Sequence, residues 1–286
     1  MKKIIIVGSS GFVGKSLNNF LNKKNYKIIN FSRSNKKDIL KVKKLPKSNY
    51  IIYCVKTNDV KKSLYLFKHF ENLLKNYSKK IKILFFSSGS VYGPRFQIKK
   101  FKETDKVSLK KINNFNNYKK NYSKEKIFLE KEFIKLSEEG FIVSIARCFT
   151  FVGKFIPTNS HFLIGNLIKN IIDKKDLLVK SKKKIVRSFM HTDDLVRCLF
   201  LIMKKSKNNY KTYNVGSDDQ INIDLLIKKL SNKYQTKQKR FYNNMSKKND
   251  YYVPNINKIK KDLKWKNKYN SFEAIIKTIK DFSKLK

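Results

Sequence analysis

Tyr122 and Lys126, four residues apart, and the serine pair Ser87-Ser88 have the residue types and spacing to meet around one reacting group. Positions 122, 126, 129, 133 and 136 fall on one helical stripe and read Tyr, Lys, Leu, Phe, Leu. A lysine on such an apolar stripe either snorkels to solvent or has a task. Ser87 and Ser88 end the apolar run from Ile81 to Phe86, at the carboxyl end of an expected core strand. Because an open parallel sheet holds its ligand at those ends, a hydroxyl, a phenol and an ammonium can converge on one crevice. The stretch GSSGFVG names a ligand type: it follows Ile4-Ile5-Ile6-Val7 directly and opens a segment of helical period. Gly8 permits the sharp turn, Gly11 lets backbone approach a pyrophosphate, and Gly14 lets helix pack closely on strand.

Strands and helices must alternate to bring these segments together. Val13, Leu17, Phe20 and Leu21 give the first helix its inward stripe. Lys27 to Phe31 and Tyr50 to Val55 read as further strands, Val60 to Tyr77 as a helix, and residues 118 to 139 as a long helix closed by Gly140 before the strand Phe141 to Arg147. Residues 94 to 117 are polar and irregular. Beyond residue 155 the pattern loosens, with helices expected near 160–172, 192–204 and 222–233 and short strands near 177–180 and 213–216. The fold class is therefore α/β, a Rossmann-like doubly wound parallel sheet in residues 1–155, with a smaller, interleaved C-terminal substrate domain in residues 156–286 that partly crosses back.

Composition narrows the partners. The 286 residues carry 41% hydrophobic side chains, enough for a sizeable core, and a formal net charge of +46. Lysine is scattered through nearly every segment, which reads as a bias of all solvated faces and argues against a dedicated nucleic-acid partner. Cys54, Cys148 and Cys198 lie in apolar runs without metal-ligand spacing, as buried thiols of a reducing cytosol do. No run approaches the roughly 18 apolar residues of a membrane helix, so a cytoplasmic enzyme without a membrane partner is expected. Asp193-Asp194, adjacent residues at a helix start, read as helix-capping carboxylates and no metal site is expected.

Taken together, these motifs resemble the extended short-chain dehydrogenase/reductase superfamily, the NAD(P)-dependent nucleotide-sugar epimerase/dehydratase family. The resemblance spans nearly the whole chain: GSSGFVG, SSGSVYG ending at Gly93, Tyr122-x-x-x-Lys126 with Glu130 a turn later, Arg147 ahead of Phe151-Val152-Gly153, the segment 186–195, and YNVGS at 213–217. It implies that Tyr122 is the general acid/base, that Lys126 lowers the phenol toward working pH and holds the nicotinamide ribose, and that Ser88 hydrogen-bonds the reacting oxygen. It further implies cofactor contacts at Gly8, Ser10, Gly11, Phe12, Val13 and Gly14, and an adenine contact at Asp38. Substrate contacts fall on Ser88, Ser90, His161, Asn166 and Arg187, the last gripping a nucleoside-diphosphate sugar or standing as one more surface cation. Helices near 60–77 and 118–139 form a homodimer contact in this family.

Departures from the family pattern refine the reaction. An Asp-Glu pair follows the serine in the 4,6-dehydratases; Gly89 and Ser90 stand here, which argues against dehydration. A cysteine at position 90 marks fucose-nucleotide epimerase-reductases, and only their histidine is matched, by His161. The acidic residue that NAD-dependent members place after the second strand is replaced by Ser32-Arg33, and an arginine grips a 2′-phosphate, so NADP(H) is favoured over NAD. The expected activity is 4-keto-sugar reduction, with a 4-epimerase retaining NAD as the alternative. A non-catalytic RNA-binding protein on the same fold is the alternative of another class, and it would need none of Ser88, Tyr122 and Lys126.

Overall fold

The computed structural model describes residues 1–33, 37–158, 163–179, 183–207, 210–240 and 246–284. In chain order the strands are β1 (Lys2–Val7), β2 (Tyr26–Phe31), β3 (Tyr50–Tyr53), β4 (Lys82–Ser88), β5 (Ile142–Cys148), β6 (Phe151–Val152), β7 (Leu177–Val179), β8 (Lys183–Ser188), β9 (Met190–His191), β10 (Lys211–Val215), β11 (Gln220–Asn222), β12 (Gln238–Arg240) and β13 (Ser246–Tyr252). The α-helices are α1 (Phe12–Leu21), α2 (Val60–Leu74), α3 (Leu109–Ile112), α4 (Asn117–Glu138), α5 (Leu163–Ile172), α6 (Thr192–Lys205), α7 (Ile223–Tyr234), α8 (Asn257–Leu263) and α9 (Ser271–Ser283).

Six strands form one parallel sheet in the order β10-β5-β4-β3-β1-β2. Its strands read as unbroken apolar runs because both faces are covered. Ile4 and Ile6 point to the side of α1 and α6, packing with Leu17, Leu21 and Leu199, while Ile5 and Val7 point to the side of α2 and α4, packing with Phe67, Phe70 and Phe133. On the second side Phe85 and Phe133 stack with ring centroids 4.4 Å apart. Burying each such ring stabilises the fold by about 1.5–3 kcal/mol.

The chain leaves β1 toward β2 and then returns across β1 to β3, so the order reverses between β1 and β3. A crevice at the carboxyl ends follows from that reversal. The turn at Gly8–Gly11, the loop 54–59 and the turn Ser88–Gly93 all issue from strand ends on this side.

The helices expected from the sequence pattern are present to within a few residues, including α4, expected at 118–139, while α3 lies in the stretch 94–117 read as irregular and α8 and α9 have no counterpart in that reading. Past residue 155, β8 pairs with β11 and β13, while β10 joins the large sheet beside β5. A third apolar cluster joins α5, α7 and α9 through Ile164, Ile168, Leu226, Leu230, Ile275 and Ile279. Strands β8, β12 and β13 do not stand out in the sequence, because lysines and asparagines interrupt their alternation. Asp193 and Asp194 lie in the first turn of α6, whose cap is instead His191, accepting from the Asp193 amide at 3.2 Å. Among the described residues no group of three or more His, Cys, Asp or Glu could hold a metal, and no helix is long and apolar enough to cross a membrane.

Candidate functional site

The glycine turn is shaped by three unequal demands. Gly8 sits at φ +95°, and a Cβ there would lie 2.8 Å from the Cys54 carbonyl carbon. At Gly14 a Cβ would lie 2.5 Å from the Ser9 backbone. Both glycines are thus required by the protein's own packing. Gly11 differs: it is exposed, and a Cβ there would find its nearest neighbour, Gly8 O, at 3.6 Å. Gly11 is also the N-cap of α1, where no side chain satisfies the first-turn amides and no acidic residue repels an anion. Free amides beside an uncluttered backbone fit the pyrophosphate of a dinucleotide.

Gly11→Ala and Gly14→Ala are therefore expected to differ. The first should change stability by less than about 1 kcal/mol and weaken dinucleotide binding about tenfold, whereas the second should destabilise by about 1–3 kcal/mol. Calorimetric binding alongside thermal unfolding checks both, and unaltered affinity in Gly11→Ala would remove the pyrophosphate from this turn.

At the end of β2, Ser32 is buried and donates its amide to Lys37 O at 3.0 Å, and Arg33 is exposed. The Phe31 carbonyl before them accepts from Gly8 N and Ser9 N at 2.9 and 3.2 Å, so this strand end adjoins the turn. Asp38 Oδ1 accepts from the Leu40 amide at 3.1 Å.

Ser88 lies buried at the end of β4, where its Oγ accepts from the Ser90 amide at 3.2 Å. Tyr122, half-buried in the first turns of α4, lies beside the same Ser88 side chain, near enough for that hydroxyl to favour the phenol's charged form. The hydroxyl and the phenol expected to converge do so. Lys126, one turn further on, is buried with Nζ 5.6 Å from the Tyr122 ring centroid, and it donates to Val55 O at 2.9 Å. One expectation is overturned: the Tyr122 phenol is not lowered by Lys126. Burial holds it above its ordinary value, the Ser88 hydroxyl opposes this, and the charge of Glu125 adds to the rise. Burial also holds Lys126 below the usual lysine range, with Glu125 opposing.

Beneath these groups runs a buried polar chain. Ser87 Oγ donates to Glu130 Oε1 at 2.5 Å, Arg147 grips Glu130 with Nη2 at 2.7 Å and Nε at 3.0 Å, and Arg147 Nη1 donates to the Tyr92 hydroxyl at 3.0 Å. Tyr92 in turn donates to Asn214 Oδ1 at 2.8 Å. Ser90 Oγ is buried with no hydrogen-bond partner among the described residues, leaving a hydroxyl available to a ligand.

Of the remaining substrate expectations, Arg187 on β8 pairs with Asp250 Oδ2 at 2.6 Å and donates to the Asp250 carbonyl at 2.6 Å. Asn166 lies on the exposed face of α5. His161 lies outside the described residues.

The sequence reading missed three neighbours. Glu125, fully buried, accepts at Oε2 from the amides of Thr57 and Asn58 at 3.2 and 2.5 Å, and so ties the loop after β3 to α4 beside Lys126. Its place three residues after Tyr122 was a signal that could have been read. Tyr252, at the end of β13, is a second phenol beside Ser88, whose hydroxyl favours its charged form, and its ring lies 4.6 Å from that of Phe149. Lys119, one turn before Tyr122, faces the Tyr252 ring at 5.3 Å. No local pattern announces Tyr252. A groove of about 770 Å³ runs from Ser9 and Ser10 of the glycine turn along Asn18 and Asn22 to Phe155, without touching Ser88 or Tyr122.

The model of the NAD dependent epimerase/dehydratase family matches residues 4–216 of the chain. No curated protein matches it. Among solved structures, the chain is similar to the dTDP-glucose 4,6-dehydratase of Bacillus anthracis in complex with NAD, with 17% identity over 99% of this chain and 97% of that one and a TM-score of 0.80. It is similar to RMD from Pseudomonas aeruginosa complexed with NADPH, at 17% identity over 100% and 99% of the two chains and a TM-score of 0.80. The UDP-glucose 4-epimerase of Thermotoga maritima with UDP-glucose aligns at 17% identity over 99% of both chains, with a TM-score of 0.76. At these identities the likeness is one of fold.

Proposed function

This chain belongs to the NAD dependent epimerase/dehydratase family, and we propose that it reduces a 4-keto sugar carried on a nucleoside diphosphate, with NADP(H) as the preferred cofactor. The observation that carries this reading is the meeting of the Tyr122 phenol and the Ser88 hydroxyl at the end of β4, with the phenol held protonated by burial. Ser88 Oγ steadies the substrate carbonyl oxygen, and Tyr122 gives that oxygen its proton as the carbonyl carbon is reduced. A nicotinamide, when bound, supplies the hydride. Residues that would hold the cofactor are the α1 amides behind Gly11 at the pyrophosphate, Lys126 at the ribose and Arg33 at a 2′-phosphate. Aligning the donor and acceptor in one crevice contributes much of the remaining rate.

Dehydration is disfavoured on steric grounds as well as by residue type. At Gly89, where the dehydratase pattern has an aspartate, a Cβ would lie 2.5 Å from the Phe149 ring. The comparable TM-scores of an NAD-bound dehydratase and an NADPH-bound protein leave cofactor choice to Ser32 and Arg33. The proposal extends to a cytoplasmic homodimer through α2 and α4, where Tyr65 and Tyr118 are exposed, with a dimer expected by light scattering.

Incubating the protein with UDP-, dTDP-, GDP- and CDP-linked 4-keto sugars while following NADPH and NADH absorbance tests the reading. Consumption of NADPH with one of them is expected. Tightly retained NAD, with interconversion of 4-hydroxy epimers and no net cofactor consumption, would replace it by the epimerase reading.

A pH dependence follows from the protonated phenol. In the free enzyme Tyr122 starts as an acid, so kcat/KM for keto reduction should stay level from about pH 6 to about pH 9, while the reverse oxidation, which needs the phenolate, should rise by up to about tenfold per pH unit. Reduction that declines steeply above about pH 7 would show that the phenol has an ordinary or lowered value.

A further inference from the structure

Among the described residues, Lys119 is a cation of the crevice without an ion-pair partner. It sits in the first turn of α4, one turn before Tyr122 and with its amide bonded to Asn116 Oδ1. Its Nζ lies 4.2 Å from the Phe115 ring centroid and 5.3 Å from that of Tyr252. The Arg187 guanidinium lies 5.9 Å from the same Tyr252 ring. Two cations thus flank the ring whose hydroxyl lies beside Ser88.

They are not equally satisfied. Arg187 has the Asp250 carboxylate at 2.6 Å, whereas the Lys119 ammonium makes no hydrogen bond and no ion pair among the described residues. Burial pulls its pKa down to about 8; Arg187 on β8 pushes in the same direction and only Asp250 on β13 opposes them. A half-buried ammonium without a partner gains from an anion that joins it. Its aromatic contacts offset part of that cost and do not neutralise the charge.

We propose that Lys119 is a specificity-determining residue of the substrate pocket, which together with Arg187 binds an oxyanion of the substrate. The inference rests on the nucleotide-sugar reading above and adds a second cation to it. The oxyanion is either a phosphate oxygen of the diphosphate or a carboxylate on the sugar. Lys119 draws its neighbours from β8 and β13 and not from the glycine turn, which assigns it to substrate and not to the dinucleotide.

Calorimetric titration of the full chain with inorganic pyrophosphate, UDP, UDP-glucose and UDP-glucuronate, in the parent, Lys119→Met and Lys119→Arg, tests this. Methionine keeps the apolar stem and removes the charge, so its melting temperature should match or exceed that of the parent. Its affinity should fall about 10- to 100-fold, as expected for a lost charge-assisted hydrogen bond, while arginine keeps it within a few-fold. Loss with all four ligands assigns the oxyanion to the diphosphate; loss confined to UDP-glucuronate assigns it to the sugar carboxylate. Parent affinity should also fall between about pH 7 and about pH 9 as Lys119 gives up its proton, and Lys119→Arg should not follow. Lys119-dependent binding of pyrophosphate with no binding of the uridine ligands would overturn the nucleotide-sugar reading and keep the anion site. Equal affinities of Lys119→Met and parent, or no binding of any of the four, would overturn the inference.

Discussion

Tyr122→Phe is expected to lower kcat for keto reduction by about 10²- to 10⁴-fold, with KM changed no more than a few-fold. The substitution removes one oxygen and leaves the ring in place. The contacts of that ring, with Lys126 Nζ at 5.6 Å and Lys56 Nζ at 5.4 Å from its centroid, survive the change. Ser88 Oγ still accepts from the Ser90 amide at 3.2 Å, so it is not orphaned. Stability and cofactor affinity should therefore stay near those of the parent while the proton donor is gone. Tyr252 sharpens the test, because it is a second phenol beside the same serine and burial raises it too. Tyr252→Phe should cost far less in kcat. The reverse outcome, Tyr122→Phe retaining more than about a tenth of parent activity with Tyr252→Phe inactive, would transfer the acid's role to Tyr252.

The contrast between these two tyrosines shows what the sequence can carry. Tyr122 and Lys126 are one helical turn apart, so the period of α4 alone sets them side by side, and GSSGFVG announces its turn through residues that touch within the motif. Tyr252 meets Ser88 from the far end of the chain, and Arg187 meets Asp250 across 63 residues. Such pairings depend on how β8 and β13 register, and both strands are hidden by lysines that spoil their alternation. The same bias hides Lys119. With 67 lysines and arginines against 21 acidic residues, another lysine near a helix start carries no information. What distinguishes Lys119 is its half-buried place against Phe115 and Tyr252 without an ion pair among the described residues, which only packing reveals. Glu125 is the intermediate case, since its spacing from Tyr122 was visible while its task, holding the Thr57 and Asn58 amides, needed the loop after β3.

Glu130 carries the largest expected effect on stability. Its carboxylate is buried, receives Ser87 Oγ and accepts two sides of the Arg147 guanidinium, which itself reaches Tyr92. Burial works against the Arg147 charge, and the hydrogen bonds and charge of Glu130 outweigh it, leaving the guanidinium above its ordinary value. Glu130→Ala would strand that cation and a serine hydroxyl in a dry interior, at a cost of about 3–5 kcal/mol, a large share of the about 5–15 kcal/mol that holds a typical domain folded. Removing both charges is a different matter: in Glu130→Leu combined with Arg147→Met only Ser87 loses its partner, because Tyr92 still donates to Asn214, so the double variant should be more stable than the sum of its singles implies by about 1–3 kcal/mol. Denaturant unfolding of the four proteins measures that coupling, and additive losses would mean that the pair contributes no more than its separate packing. Glu130→Gln separates position from charge, because an amide can still accept from Arg147 and from Ser87. If Ser87 is what holds Ser88 in line at the end of β4, Glu130→Gln should keep most of kcat, and the double variant, though folded, should lose it.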